Sequence, residues 1–435
     1  MQKNIIPFLL AFFLFGSCSY QNNKTGEDIL NERQERQFAA TLWPDRILQS
    51  VSENPANQIN LSWRSSSNVK SGFVEFSVLS EFIQEDLDAE TEIATVVPVA
   101  FKNTTDHYFQ ASVTGLQPNT SYMMRVGSEN HRSEWLTVRT APENFEPFHF
   151  LYFGDMQNEI LEYGSRTFRK AFSSFPDSRF MIHAGDLVLS SGNDDTWGEW
   201  FNAGGWSLQQ IPSLPVAGNS DHFRFQESPV DIRMLYPQWH GVFDLPKNGP
   251  EGLENLSYYF DYPGLRVIAL YSNFESLDEE NKEIFVKKDF QLTDQLFYEQ
   301  LQWLENTLKS NVQPWVITVM HHPVLTAREE RENELLQQYI LPLLEKYQVD
   351  MVLQGHDHVY ARGVNPESET GSQLPVYVIS ISGGKMREVD HNHAWIQNTL
   401  ENTQIYSAIH IDNNVLTFEA YDITGKLRDT FRIDK

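Results

Sequence analysis

Cysteine is almost absent: Cys18 is the only one in 435 residues. Disulfides within the chain are therefore excluded as a source of stability. Basic residues are scarce as well, 33 Lys and Arg against 59 Asp and Glu, for a formal net charge of −26. That balance repels phosphate backbones, and no Lys/Arg cluster is dense enough to neutralise a run of them, which argues against nucleic acid as a partner. Membrane-spanning length is missing from the apolar run at the N-terminus, because Ile5 to Phe15 falls well short of the ~20 residues that cross a bilayer as a helix. No internal repeat or low-complexity tract is present. What is abundant is core material: 40% of residues are hydrophobic, 13% are aromatic and 10 are tryptophan. The chain exceeds the ~100–200 residues of a typical domain, so two globular domains are expected.

The N-terminus reads as a targeting segment. Lys3 is a positive flank, Ile5 to Phe15 is the apolar stretch, and Gly16 and Ser17 are small residues before Cys18. Leu14 to Cys18 resembles a bacterial lipoprotein processing site, which implies a signal peptide at 1–17 and a lipid on Cys18. The polar segment 18–38 is expected to tether the chain to a membrane of the cell envelope.

From about residue 39 to Pro142 the pattern is that of short strands with turn chemistry. Ile59 to Trp63 alternates, Phe73 to Phe76 and Tyr122 to Val126 follow, and Gly115 to Tyr122 looks like the turn and tyrosine-bearing strand of a fibronectin type III-like all-β sandwich. After Pro142 strands alternate with helices, the signature of an α/β fold spanning 145–435. His149 to Phe153, Arg179 to His183, Trp315 to Met320, Val349 to Leu353 and Val376 to Ile379 read as buried strands. Phe297, Leu301, Leu304 and Leu308 recur at helical spacing, with Thr293 available as N-cap. Asn413-Asn414 and Thr424-Gly425 mark turns among further strands.

Polar clusters follow these strands: Gly154-Asp155-Met156-Gln157, Gly185-Asp186, Gly218-Asn219-Ser220-Asp221-His222, His321-His322-Pro323 and Gly355-His356-Asp357-His358. Strand ends of α/β sheets are where sites are built, and a preceding glycine lets the backbone turn so that the next side chain enters the cleft. Aspartate, asparagine and histidine together offer hard oxygen and borderline nitrogen donors, a mixture suited to iron, manganese or zinc. Two aspartates and three histidines exceed what one metal needs. A pair of divalent cations ~3.5–4 Å apart, with one carboxylate between them, is the arrangement that activates hydroxide and stabilises in-line displacement at phosphorus.

In this order, the motifs resemble the calcineurin-like metallophosphoesterases, specifically the purple acid phosphatase branch with its fibronectin-like N-terminal domain. The resemblance implies a four-layer αββα domain and the hydrolysis of small phosphorylated substrates. It further implies that Asp155 and His358 hold the first metal, that Asp186 bridges, and that Asn219, His321 and His356 hold the second. His322 falls outside the ligand positions.

The sequence departs from the family at three places. Leu189 stands where the purple enzymes have a tyrosine, Gln157 where most of the superfamily has a histidine, and Ser220 where Gly-Asn-His ends. Gln157 thus offers a weaker, neutral amide oxygen to the first metal. His222 is the expected stand-in for the missing histidine, protonating the leaving group, unless it points to solvent from a turn. Arg331 and Arg362 lie near motif loops, either clamping an anion or forming structural salt bridges. A competing reading is an envelope lipoprotein whose metal centre has degenerated into a binding or scaffold role.

One outcome follows from the cysteine arithmetic alone. Cys18→Ser removes the only acceptor thiol, so the variant is expected in the soluble fraction of fractionated cells while the parent sediments with membranes. A parent protein found soluble with its apolar N-terminus intact contradicts the lipid assignment.

Overall fold

Several strands of this molecule carry apolar residues on a period of two, with alternate side chains buried. The computed structural model describes residues 37–80, 89–101, 104–224, 233–274, 294–329 and 331–435. Cys18 and the proposed tether up to residue 36 lie outside them, as does Thr293.

The N-terminal region is a sandwich. Strands Asp45–Ser50, Gln58–Ser66, Thr104–Thr114 and Thr95–Phe101 form one sheet, and Glu90–Ile93, Phe73–Val78, Ser121–Gly127 and Leu136–Arg139 form the other. Trp63, Phe109, Leu61, Val74 and Met124 fill the space between them. Tyr122 Oη accepts from the Gln117 amide at 2.8 Å, tying the strand back to the turn that precedes it.

Two further sheets build the rest. Parallel strands Phe148–Phe153, Met181–His183 and Ser213–Pro215 lie side by side in one. Antiparallel strands Ile405–Asp412, Val415–Asp422 and Leu427–Asp434 extend that sheet beyond Phe148–Phe153, and Asn413-Asn414 closes the first hairpin with Asn413 at φ 50°. The second sheet contains Leu265–Leu270, Trp315–Met320, Met351–Gln354 and Val376–Ile379, all parallel. Period-two alternation decides what each of its faces meets. Val267 and Ala269 join the core shared with Phe150 and Tyr152 of the other sheet. Ile268 and Leu270 face outward onto Leu304 and Leu308 of the helix Asp294–Lys309 and onto Leu344.

Strand register brings the motifs together. His183 is level with Phe153 and with Pro215, so Asp155, Asp186 and Asn219 leave one sheet at the same edge. Met320 is level with Leu270, and Val319 with Leu353, so His321 and Gly355 leave the other sheet likewise. The two edges are stitched together: Gly383 N donates to Asp155 O at 2.7 Å, and Gln354 N donates to Tyr152 Oη at 3.1 Å.

The two regions expected as domains are joined edge to edge. Asp45–Ser50 pairs in parallel with Ser213–Pro215, so one sheet of the sandwich and the sheet holding Phe148–Phe153 are one continuous ten-stranded sheet. A buried ion cluster locks the junction. Arg46 Nη1 lies 2.6 Å and Arg64 Nη1 3.1 Å from the Asp194 carboxylate, and Asp45 and Asp106 share Arg64. Asp194 opens the helix Asp194–Gly204, while both arginines come from the sandwich strands. Removing the carboxylate leaves two guanidiniums buried without it. Asp194→Ala is therefore expected to destabilise the fold by about 3–5 kcal/mol in denaturant unfolding. A loss below about 1 kcal/mol, the value of an exposed pair, contradicts this assignment.

Candidate metal centre

Asp155 and Asp186 emerge from adjacent parallel strands and are buried side by side, at 0% and 1% exposure. Each has its carboxylate fixed from behind. His356 N donates to Asp155 Oδ2 at 2.8 Å. Ser220 donates twice to Asp186, from its amide at 2.7 Å and its hydroxyl at 3.0 Å. His358 completes this group: the ligand atoms of Asp155, Asp186 and His358 all lie within 4.8 Å of one another. His358 Nδ1 donates to Lys385 O at 2.7 Å, which fixes the tautomer and leaves Nε2 facing Asp155 Oδ1 at 3.6 Å. The Gln157 amide is inserted here as well, with Nε2 2.5 Å from Asp186 Oδ2 and 3.0 Å from His358 Nε2.

A second group adjoins the first. Asn219 Oδ1 is 3.1 Å from His321 Nε2 and 2.8 Å from His356 Nδ1, and those two ring nitrogens are 3.3 Å apart. His321 Nδ1 donates to Ala184 O at 2.9 Å, again turning the other nitrogen inward. Asp186 Oδ1 reaches to 3.4 Å from His321 Nε2, so one carboxylate belongs to both groups. His322 is nearer than the sequence suggests: its ring centre is 4.3 Å from that of His356, and its Nδ1 meets Ser272 Oγ at 3.1 Å.

The electrostatics of this arrangement call for a cation. Burial, reinforced by Asp186, pushes the Asp155 carboxyl well above the usual carboxylate range. Burial holds His356 well below the ordinary imidazole value and brings His358 down to about 4, so both present lone pairs at neutral pH. Asp155 Oδ1 and Gln157 Oε1 are buried without a hydrogen-bond partner among the described residues. Electron-pair donors thus converge with too few protons between them, and divalent metal ions fit.

The loops carrying these donors are strained in the way such convergence requires. Asp186, His356 and His358 occupy the left-handed region at φ 50°, 72° and 58°. Gly185 turns at φ 84°, and a Cβ there would stand 2.5 Å from His321 Nδ1. A Cβ on Gly355 would stand 2.6 Å from Asp155 Oδ2.

All seven side chains singled out as ligands meet here, whereas the His222 ring is hydrogen-bonded to Gly218 and Tyr271. It is neither at the cluster nor in solvent: it is 5% exposed, with Nδ1 donating to Gly218 O at 2.7 Å and Nε2 2.8 Å from Tyr271 Oη. With both nitrogens engaged, it props the Asn219 loop from below. Asp221, two residues from Asn219, is likewise a tie, accepting from the amides of Leu187, Val188 and Gly218. Arg362 forms a bidentate pair with Asp429 and is structural. Arg331 instead reaches the site, donating to His356 O at 2.6 Å. Lys385 went unnoticed in the sequence, where only the preceding Gly383-Gly384 hints at a functional turn.

Comparison with known proteins agrees with this geometry. Residues 148–360 match the calcineurin-like phosphoesterase family, and residues 44–140 match the purple acid phosphatase N-terminal domain. An uncharacterised protein of Mycobacterium tuberculosis is 28% identical over 286 residues, covering 60% of this chain and 52% of that protein. A probable purple acid phosphatase of Arabidopsis thaliana is 26% identical over 281 residues, covering 62% of this chain and 59% of the other. The chain thus spans little more than half the length of these relatives. Among solved structures, the yellow lupin purple acid phosphatase PPD1 superposes with a TM-score of 0.73 at 18% identity, over 90% of this chain and 74% of that one. The chain thus carries, in this order, a purple acid phosphatase N-terminal domain and a calcineurin-like metallophosphoesterase domain.

Proposed function

We propose that this chain is a dinuclear-metal phosphoesterase hydrolysing small phosphate esters. The observation that carries the reading is the position of Asp186, whose carboxylate is within reach of both donor groups. Asp155, Gln157 and His358 hold one cation, Asn219, His321 and His356 the other, and Asp186 is shared. When bound, such a pair supplies water made acidic enough to ionise near neutral pH, and offsets charge developing at phosphorus. The chain's own contribution is orientation. Ser220 fixes Asp186, and backbone carbonyls of Ala184 and Lys385 fix the histidine tautomers. All seven donors come together and two buried oxygens lack partners, which favours catalysis over the degenerate scaffold.

Finer assignments accompany this reading. The sandwich is taken as fibronectin type III-like on the strength of the Tyr122–Gln117 corner. The paired sheets with outer helices are taken as the four-layer αββα arrangement. The anchor is taken as a lipid on Cys18, facing out of the cytoplasm in the cell envelope.

Elemental analysis of purified protein is expected to give about two divalent metals per chain, with hydrolysis of a panel of phosphate esters. Asp186→Asn is expected to lower both metal affinity and turnover by more than about 100-fold, because even an outer partner of a metal ligand is worth ~10–100-fold. Fewer than one metal per chain, or turnover unchanged in the variant, contradicts the proposal. Leu189 supplies no phenolate, so the metal-loaded protein is expected to lack a tyrosinate charge-transfer band in its visible spectrum; such a band contradicts the ligand set.

A further inference from the structure

In a chain with a net charge of −26, four cations gather beside the metal centre. They come from two segments that bracket the Gly355–His358 loop. Arg331 Nη1 donates to His356 O at 2.6 Å. On the other side, Lys385 O receives His358 Nδ1 at 2.7 Å and Arg387 N donates to His358 O at 2.9 Å. The segments are joined to each other, since Asp390 N donates to Ala327 O at 2.8 Å. Arg328 precedes Arg331 on the first segment, its amide held by Thr326 Oγ1 at 3.1 Å. Arg328, Arg331 and Lys385 are half-buried and Arg387 is exposed. Among the described residues, none of the four is joined to a carboxylate in an ion pair.

Their charges act on one another. Arg328 is held below the usual guanidinium value by burial first, then by Arg331 and Arg387, with Asp357 opposing. Lys385 is lowered by burial, with Asp186 and Asp155 opposing and Arg387 and Arg331 adding to the effect. Like charges held together in partial burial are unfavourable unless an anion joins them. By contrast, Arg266 pairs with Asp261, Arg362 with Asp429 and Arg428 with Asp422.

Charge counting indicates which anion. Two divalent cations against Asp155 and Asp186 leave two positive charges, matched by one phosphate dianion. Glu329, Glu332 and Glu388 on the same segments are exposed, as Arg387 is; the partly buried Arg328, Arg331 and Lys385 against the buried Asp357 leave two more, which the scissile phosphate does not balance. Guanidinium forks suit phosphate oxygens bidentately, and charge-assisted hydrogen bonds of this kind are the stronger ones.

Resting on the phosphoesterase reading, we propose that Arg328, Arg331, Lys385 and Arg387 form a subsite for a second phosphate group of the substrate. The preferred substrates are then small molecules bearing two phosphates, whether linked directly or through a short carbon chain.

Calorimetric binding to the metal-loaded full-length protein tests this with three probes: methylphosphonate, methylenediphosphonate and 1,3-propylenediphosphonate. At least one diphosphonate is expected to bind about ten-fold or more tighter than methylphosphonate, about 1.4 kcal/mol. The tighter of the two identifies the linkage. In Arg328→Gln/Arg387→Gln all affinities fall, but the diphosphonate advantage shrinks towards unity. Arg387→Gln alone, at an exposed position, reduces that advantage partially and guards against misfolding of the double variant. An absent advantage in the parent, or one undiminished in both variants because the metals alone create it, overturns the subsite. Binding is read here rather than turnover, so a protein that shows the advantage yet hydrolyses no phosphate ester contradicts the catalytic reading and not the subsite.

Discussion

Two aspartates buried against each other are the constraint from which the rest of the centre follows. Asp155 and Asp186 sit on neighbouring strand ends with almost no exposure. Placing two carboxylates together away from water is strongly unfavourable unless hydrogen bonds and cations compensate. The hydrogen bonds are visible, from His356 N, from Ser220 and from the Gln157 amide. On the proposed reading, the neutral imidazoles of His356 and His358 would help to hold the compensating cations. Left-handed backbone at Asp186, His356 and His358, and glycines with no room for a Cβ, are local costs of bringing these donors within reach of one another.

The framework that bears this strain extends into the sandwich. Ser213–Pro215, the strand leading to Gly218 and Asn219, lies between Met181–His183 on one side and Asp45–Ser50 on the other. The N-terminal domain therefore supplies the next strand beyond a ligand-bearing one. Arg46 and Arg64 reach across the same junction to Asp194, whose helix packs Trp197 and Trp200 into the core shared by both sheets. A ligand loop at the edge of a short three-residue strand would otherwise stand on little. His222 and Asp221 finish the support from beneath, binding Gly218 and the loop after Asp186.

What the sequence reveals depends on whether a signal is local. Strand ends followed by Gly-Asp or Gly-His are local, and Trp315–Met320 and Val376–Ile379 appear at the residues their patterning predicts. The helix Asp294–Lys309 follows from the spacing of Phe297, Leu301, Leu304 and Leu308. The convergence of the candidate ligands was legible because register carries each motif to the same edge. Features set by contacts distant in sequence were not legible. The pairing of Ser50 with Ser213 leaves no mark on either segment, so the continuous sheet that joins the two domains was not legible. His222 looked like an acid because it follows Asn219, yet Tyr271, 49 residues away, decides where its ring points. Lys385 and Arg387 carry no motif at all, and their backbones meet His358 across a gap in sequence, Lys385 O at its ring and Arg387 N at its carbonyl.

The central claim is that one carboxylate, Asp186, serves two cations. Anomalous X-ray scattering from crystals of the metal-loaded protein addresses it without reference to any substrate. The account predicts two peaks ~3.5–4 Å apart, one beside Asp155 and His358, the other beside His321 and His356, with Asp186 between them. A single peak, or a peak that Asp186 does not contact, would contradict it.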